Sequence, residues 1–271
     1  MNPKNFVYLS DHGKDSYINM LAAAVGAKIT TTNEFDYAES KQPIVLRSIL
    51  KYKMMAQCQQ DQRDFYYVDS GYLGNGISSR NRQGHKLWHR VVKNNLQHNK
   101  LITRPDSRFS RLGLQLPKTK RSGSKILIAA PDEKPCRAYG IDLDQWVDHT
   151  VATLKQHSDR EIVVRYRDKN RKNRTIHNTL IDALNDDVHA LVTFNSNAAT
   201  ESVLHGVPAF ALCPTHAAHP VTSTDLSLIE NPFWPDTDLL YKWVCHLAHC
   251  QFHVSELKRG NFWNVVDENS A

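Results

Sequence analysis

Short runs of β-branched and aromatic residues alternate along this chain with segments whose apolar residues recur at helical spacing, and no other feature constrains the fold as much. Strand, helix and strand in repeated succession dictate a largely parallel sheet covered by helices. Near the start, NFVYLS is an apolar strand, DHG a turn, and DSYINMLAAAVGA a helix ending at Gly26. AKITTT and PIVLRSI are further strands, LKYKMMAQCQQDQR a helix, and DFYYVDSGYLGNG a strand that stops in a glycine-rich turn. From residue 126 the alternation returns more clearly. ILIAAP is a buried strand, and DQWVDHTVATLKQH places Trp146, Val147, Thr150, Val151 and Leu154 on one helical face. EIVVRYR is a strand, and TIHNTLIDALND repeats the stripe at Ile176, Leu180, Ile181 and Leu184. ALVTFN, SNAATESVLHG and VPAFALC complete a strand, helix and strand, with Gly206 ending the helix.

Between residues 74 and 124 the periodicity fades into Arg, Lys, Asn, Gly and Pro; LWHRVV reads equally as a strand or a helical turn, and KRSGSK at 120–125 is the linker candidate. The expected fold class is α/β, with two facing Rossmann-like domains and a central cleft. The first domain spans 1–123, lies on the acceptor side and carries a basic loop region at 80–123. The second spans 124–235, and a helical tail from 236 to 271, with Trp243 and Trp263, docks across both.

With 271 residues, 41% hydrophobic and 23% charged, the chain can bury a core, which excludes a disordered or low-complexity polymer. No stretch approaches the roughly 18 uninterrupted apolar residues of a membrane helix. The opening, MNPKNFVYLSDHGKD, lacks the order of an export signal, so no membrane association and a cytoplasmic location are expected. Cys58, Cys136, Cys213, Cys245 and Cys250 are odd in number and contain no CxxC pair, which argues against a disulfide framework or a zinc site and for a reducing compartment. The formal charge of +6 is unevenly spread: residues 80–125 hold thirteen Lys or Arg against the single acid Asp106, leaving the remainder net acidic by six.

Residues 190–212, ALVTFNSNAATESVLHGVPAFAL, carry the most chemistry. An apolar strand ends in Asn195, Ser196 and Asn197, and a helix of small residues begins at once. A strand-to-helix turn of this kind presents free N–H groups and a positive helix end, which suits a diphosphate. Small side chains let phosphate oxygens reach the backbone, and Glu201 in the second turn can accept hydrogen bonds from two ribose hydroxyls. The plainer alternative is an ordinary buried strand-helix-strand with Ser196 as a cap. In EIVVRYR, Arg165 and Arg167 share one side of a strand and emerge at its carboxyl end, where guanidinium groups can neutralise a leaving diphosphate without a metal.

The 190–212 run resembles the donor-site segment of GT-B glycosyltransferases and related capsule-polysaccharide sugar transferases, in which a small polar pair precedes a Glu-bearing helix and a Gly-x-Pro turn. The whole chain also resembles bacteriophage-encoded glycosyltransferases of this type in VDSGYLG, in AAHPV at 217–221 and in DLSLIENP. The resemblance implies a metal-independent transferase with no cofactor beyond a nucleoside-diphosphate sugar, a UDP-sugar in the first instance. If the chain is phage-encoded, its place is the cytoplasm of an infected bacterium. The sequence departs from the fuller pattern in being short and in carrying SDHGKD where a glycine-rich loop would follow the first strand.

A transfer with inversion needs a base for the acceptor hydroxyl. Asp69, ending FYYV and preceding Ser70 and Gly71, is preferred over Asp11, which follows the first strand; each can equally cap the next turn. His216 follows the strand after the Glu201 helix and is placed among the donor contacts. With His219 it forms a conceivable metal pair, but no third ligand is set by the spacing, so no metal site is assigned. On the acceptor side, Arg80, Lys86, Arg90, Arg104, Arg108 and Arg111, with Trp88 and Phe109, suit a polyanion. Double-stranded DNA bearing a hydroxymethylated pyrimidine fits that charge and the phage resemblance. The alternatives are a saccharide acceptor of the capsule type, a non-catalytic nucleic-acid-binding protein, and a nucleotide-sugar epimerase that shares the donor site.

Overall fold

The computed structural model describes residues 2–74, 86–117, 120, 122–166 and 179–269. It divides into two compact units, one of Met1–His98, Arg104–Leu112 and Cys245–Ala271, the other of Asn99–Thr103 and Gly113–Val244.

The first unit is built on a six-stranded sheet in the order β10-β5-β4-β3-β1-β2, with β1 Val7–Ser10, β2 Ile29–Thr31, β3 Ile44–Arg47, β4 Phe65–Ser70, β5 Trp88–Lys93 and β10 Gln251–His253. The first four strands run parallel, while β5 pairs antiparallel with β4 and β10 antiparallel with β5. The sheet is therefore mixed rather than wholly parallel, because no amphipathic helical stripe separates DFYYVDS from LWHRVV to carry the chain back across a face. Apart from the edge strand β2, its strands are largely buried on both sides, and the two-residue period shows which side each residue serves. Tyr8, Val45, Tyr66, Val68, Val91 and Phe252 meet Ile18, Leu21 and Ala22 of α1 (Ser16–Val25), Leu257 of α9 (Val254–Arg259), and Trp263 and Val266 of α10 (Trp263–Glu268). Val7, Leu9, Ile44, Leu46, Phe65 and Tyr67 meet Met55 and Cys58 of α2 (Tyr52–Gln60). Helix α1 starts where the Asp15 carboxylate accepts from the N–H groups of Tyr17 and Ile18, and stops at left-handed Gly26, as the sequence led one to expect.

The second unit has a four-stranded, all-parallel sheet in the order β7-β6-β8-β9, comprising β6 Lys125–Ala129, β7 Glu161–Arg165, β8 Val188–Thr193 and β9 Ala209–Ala211. Ile126, Ile128, Ala190, Val192 and Phe210 form one core face with Leu154 of α5 (Leu143–Lys155), and Trp146 and Val151 pack on its edge. The short α4 (Glu133–Tyr139) precedes α5, while α6 (Leu180–Asn185) and α7 (Ala198–Leu204) pack against β8 and β9. Ile176, placed on the α6 stripe by its spacing, lies outside the described residues.

The tail departs from the helical expectation. Helix α8 (Thr237–His249) and the two short helices α9 and α10 enclose β10, whose three residues QFH are too few to show a strand period and are fixed by pairing with β5. Residues through Val244 group with the second unit and those from Cys245 with the first. No described helix is long and apolar enough to cross a membrane.

Candidate functional site

In the second unit, β6 leads by α4 and α5 to β7 on one side and the chain returns to β8 on the other, so strand order reverses between β6 and β8. Ligands on open α/β sheets settle at the carboxyl ends of strands at such a reversal. Arg165, Ala129 and Thr193 are aligned across that edge, and the Thr193 hydroxyl donates to the Ala129 carbonyl at 2.8 Å. Arg165 thus ends β7, and Asn195, Ser196 and Asn197 follow β8 at the same carboxyl edge, with Glu201 in the first turn of α7. Phe194 to Asn197 are half-buried and not sealed in the core. Arg167 lies outside the described residues.

The turn after β8 is held from beneath. The Ser196 carbonyl accepts from His216 Nε2 at 2.8 Å and from the Ala199 N–H at 3.2 Å, and the Ser196 hydroxyl accepts from the Ala198 N–H at 3.3 Å. His216 Nδ1 accepts from the Ala218 N–H at 2.9 Å, which fixes the proton on Nε2. With both ring nitrogens so engaged and no exposure, His216 supports the turn from within the fold instead of reaching a ligand. Asn195 shares hydrogen bonding with the Tyr139 hydroxyl, as does Thr215, and burial followed by the neighbouring Cys213 pushes that phenol up to about 12. The Tyr139 ring meets Phe194 edge-on at 5.0 Å between centroids. Asn197 Nδ2 donates to Glu201 Oε1 at 3.5 Å, and Glu201 keeps partial exposure. Tyr139, Cys213 and Thr215 were not singled out from the sequence, since nothing in their spacing marks them as neighbours of residue 195.

A cavity of about 510 Å³ opens at the ends of β6 and β7, lined among others by Pro131, Asp132, Cys136, Asp142 and Tyr166. The Tyr166 ring is 54% exposed. Asn195, Ser196, Asn197 and Glu201 are not in its wall.

In the first unit the order reverses between β1 and β3. Asp11 and His12 follow β1, with His12 at φ 50°, and Ser48 follows β3 at φ 85°, both left-handed conformations that non-glycine residues seldom adopt. Asp11 is paired with Lys51 at 2.8 Å. Asp69, in the last turn of the β4 ladder, is ion-paired with Arg90 at 3.0 Å, and accepts from Tyr67 Oη at 3.1 Å and from the Ser70 N–H at 2.7 Å. Burial acts to raise its pKa, but Arg90, the Ser70 N–H, Arg47 and Lys86 outweigh it and hold the carboxyl below its ordinary range. Gly71 lies against Gln251, where a Cβ would come within 2.8 Å of Gln251 Oε1, the atom that accepts from the N–H groups of Tyr72 and Leu73. Both preferred carboxylates therefore stand at carboxyl ends of strands, each with a cation against it.

Three of the arginines expected to meet a polyanionic acceptor are engaged within the first unit. Arg90 is 9% exposed; besides Asp69, it donates to the carbonyls of Ser70 and Leu96. Arg104 donates to the Glu268 carbonyl and to Asn269 Oδ1 at 2.6 and 2.8 Å. Arg108 forks onto Glu256 at 2.7 and 3.0 Å, donates to the carbonyls of Ala248 and Gln251, and lies over the Phe252 ring. These three guanidiniums tie carbonyls and carboxylates inside the first unit, where a polyanion would have to displace them. Lys86 is half-buried and Arg111 exposed, while Arg80 lies outside the described residues. Among the described residues, no group of three or more His, Cys, Asp and Glu is placed to hold a metal.

The motifs behind the resemblance divide along the same line. In DLSLIENP, Ile229 is core and Glu230 pairs with Arg160 at 2.9 Å; in AAHPV, the Ala217 carbonyl accepts from Trp243 Nε1 at 2.9 Å. Both serve the fold of the second unit.

No family model matches the sequence, and a search of curated proteins finds no match. Two solved structures of Thermosulfurimonas dismutans KpsC resemble the chain over nearly its whole length. One, described as a β Kdo 2,4 transferase, shares 13% identity at a TM-score of 0.57, covering 99% of this chain and 98% of that one. The other, described as a β Kdo 2,7 transferase, shares 10% identity at a TM-score of 0.50, covering 98% and 100%. At these identities the likeness is one of fold.

Proposed function

We propose that the chain is a glycosyltransferase of GT-B type, with the sugar donor held by the second unit and the acceptor by the first. The observation that carries this reading is that Arg165 ends β7 and Asn195, Ser196 and Asn197 follow β8 along the same carboxyl edge of the second sheet, beside its strand-order reversal, with Glu201 in the first turn of α7. The diphosphate lies over the turn after β8, with Arg165 offsetting its charge as it departs, and Glu201 accepts from the ribose. The nucleoside is assigned to the cavity beside Tyr166, whose exposed ring offers a stacking face. Asp69 is the base for the acceptor hydroxyl, and no step in this scheme calls for a metal. The fold shared with two proteins described as Kdo transferases supports glycosyl transfer over epimerisation or simple nucleic-acid binding.

A saccharide acceptor of the capsule type is preferred to DNA. Arg90, Arg104 and Arg108, the charges that made DNA attractive in the sequence, are engaged within the first unit. Titration of the protein with a panel of nucleoside mono- and diphosphates is the primary test. Saturable binding that weakens in Glu201→Gln and Arg165→Gln supports the donor site, and absence of any nucleotide binding removes the proposal. Retention on DNA at low salt that is lost steeply with added salt would restore the DNA acceptor.

A further inference from the structure

We propose that Arg47 is an oxyanion-binding residue at the carboxyl edge of the first sheet, taking a carboxylate or phosphate carried by the acceptor. The proposal deepens the transferase reading and rests on it only in assigning the anion to the acceptor. Arg47 closes β3, next to the point where strand order reverses between β3 and β1, the place on such a sheet where ligands gather. It pairs in register with Val68, one residue short of Asp69. Its alternation within β3 sends it to the α1 side, where its guanidinium lies 4.6 Å from the centre of the Tyr17 ring.

How that guanidinium is held distinguishes it from Arg90, Arg104 and Arg108. Arg90, Arg104 and Arg108 direct their N–H groups onto carbonyls and carboxylates. The Arg47 guanidinium makes no hydrogen bond to any described residue: the nearest carboxylate, Asp15, stands at 3.7 Å, and Asp15 Oδ1 already accepts from Tyr17 and Ile18. The side chain keeps 31% exposure. A guanidinium stacked on a ring is fixed in orientation while its planar fork of donors stays available, which is the arrangement that recognises a carboxylate or phosphate in two-point fashion. Of the neighbouring cations, Lys51 is paired with Asp11 and Arg90 with Asp69. The residue after Arg47 is Ser48 at φ 85°, a strained backbone of the kind that persists where a site demands it. Nothing in the sequence marked this residue, because it ends the apolar run PIVLRSI and lies outside the basic segment.

The test measures binding to the full chain by calorimetry with no donor present, using tri-galacturonate, its methyl ester and glucose 6-phosphate as probes. One of the two anionic probes binds, and which one identifies carboxylate or phosphate as the source. Arg47→Gln weakens that binding by about tenfold or more, as expected for losing charge-assisted hydrogen bonds, while Lys258→Gln, on the exposed face of α9, leaves it unchanged. If tri-galacturonate is the ligand, its methyl ester binds at least as poorly as the Arg47→Gln variant does the acid. Equal binding by wild type and a folded Arg47→Gln, equal binding of acid and ester, or no binding of either anion at millimolar concentration overturns the proposal. A chain that binds anions through Arg47 yet binds no nucleotide keeps this inference and defeats the transferase reading, so the two failures are distinct.

Discussion

Arg90 Nη2 stands 3.0 Å from Asp69 Oδ2, and the same guanidinium donates to the Ser70 carbonyl at 2.8 Å. The pair therefore fixes both the carboxylate and the backbone that follows it. The guanidinium lies 5.0 Å from the centre of the Tyr72 ring, which holds the arginine in turn. A carboxylate so matched is preformed and ionised, which suits orientation of a hydroxyl and makes it a weaker base than an isolated one.

Replacing Asp69 separates those roles. If Asp69 takes the acceptor proton, Asp69→Asn lowers transfer by about 100-fold or more while nucleotide binding stays unchanged. Arg90→Gln leaves the Asp69 carboxylate without its partner. Because the Asp69 side chain keeps 36% exposure, the cost falls short of a fully buried pair and is about 2 kcal/mol in urea unfolding. Full transfer by a folded Asp69→Asn would assign the carboxylate to structure alone.

Arg108 tests the reassignment of the basic segment. Its fork onto Glu256 and its bonds to two carbonyls join the short α3 (Ser107–Ser110) to the chain around β10. Arg108→Ala is expected to destabilise the protein by about 3 kcal/mol, since Glu256 and the two carbonyls lose their donors. The slope of polyanion binding against salt should not change. A fall in that slope with unaltered stability would return Arg108 to an exposed, ligand-binding role.

Much of the fold was legible because burial imposes periods that residues must obey. VYLS, IVLR and FYYV are apolar on both faces, as strands covered on both sides must be, and α5 shows its stripe at Val147, Thr150 and Leu154. The antiparallel β5 and the three-residue β10 were less legible, because each is defined by its partner strand and not by its own pattern. Charge misled for a related reason. The density of Lys and Arg between 80 and 125 is plain in the sequence, but the Glu268 and Ala248 carbonyls that absorb it lie more than 100 residues away. The turn proposed to hold the donor was legible because its residues are contiguous; its support by Tyr139 and His216 was not.

Stability should depend on pH through buried histidines. Burial holds His89 and His246 each down to about 4, and His98 well below its ordinary range. For His89 and His246 the unfolded chain binds the proton near pH 6.5 and the folded one only near 4, so their contribution is complete above about pH 6.5 and is lost as pH falls towards 4; His98 acts in the same direction. For His89 and His246 the full loss is about 3 kcal/mol each. Urea midpoints should therefore decline from pH 7 to pH 5, and less steeply in His246→Gln. An unchanged slope in a folded His246→Gln would show that His246 is not a source of the decline.

His216 links the fold of the second unit to its proposed chemistry. Its Nε2–H and its Nδ1 lone pair each have one partner, Ser196 and Ala218, and no other side chain offers a donor and an acceptor at that spacing within a flat ring. Removing the ring leaves the buried Ala218 N–H without this acceptor and the Ser196 carbonyl with the Ala199 N–H, and it empties a buried space, so His216→Ala should cost about 2–4 kcal/mol. Its effect on nucleotide binding follows from geometry: with one of the two donors to the Ser196 carbonyl gone, the turn is held less firmly, and affinity should fall by about tenfold. His216→Gln supplies one donor and one acceptor on a more flexible stem and should recover part of the stability before it recovers the affinity. Nucleotide affinity unchanged in a folded His216→Ala would mean that the ligand does not use the Ser196 turn. The donor site would then have to be sought at the Tyr166 cavity alone.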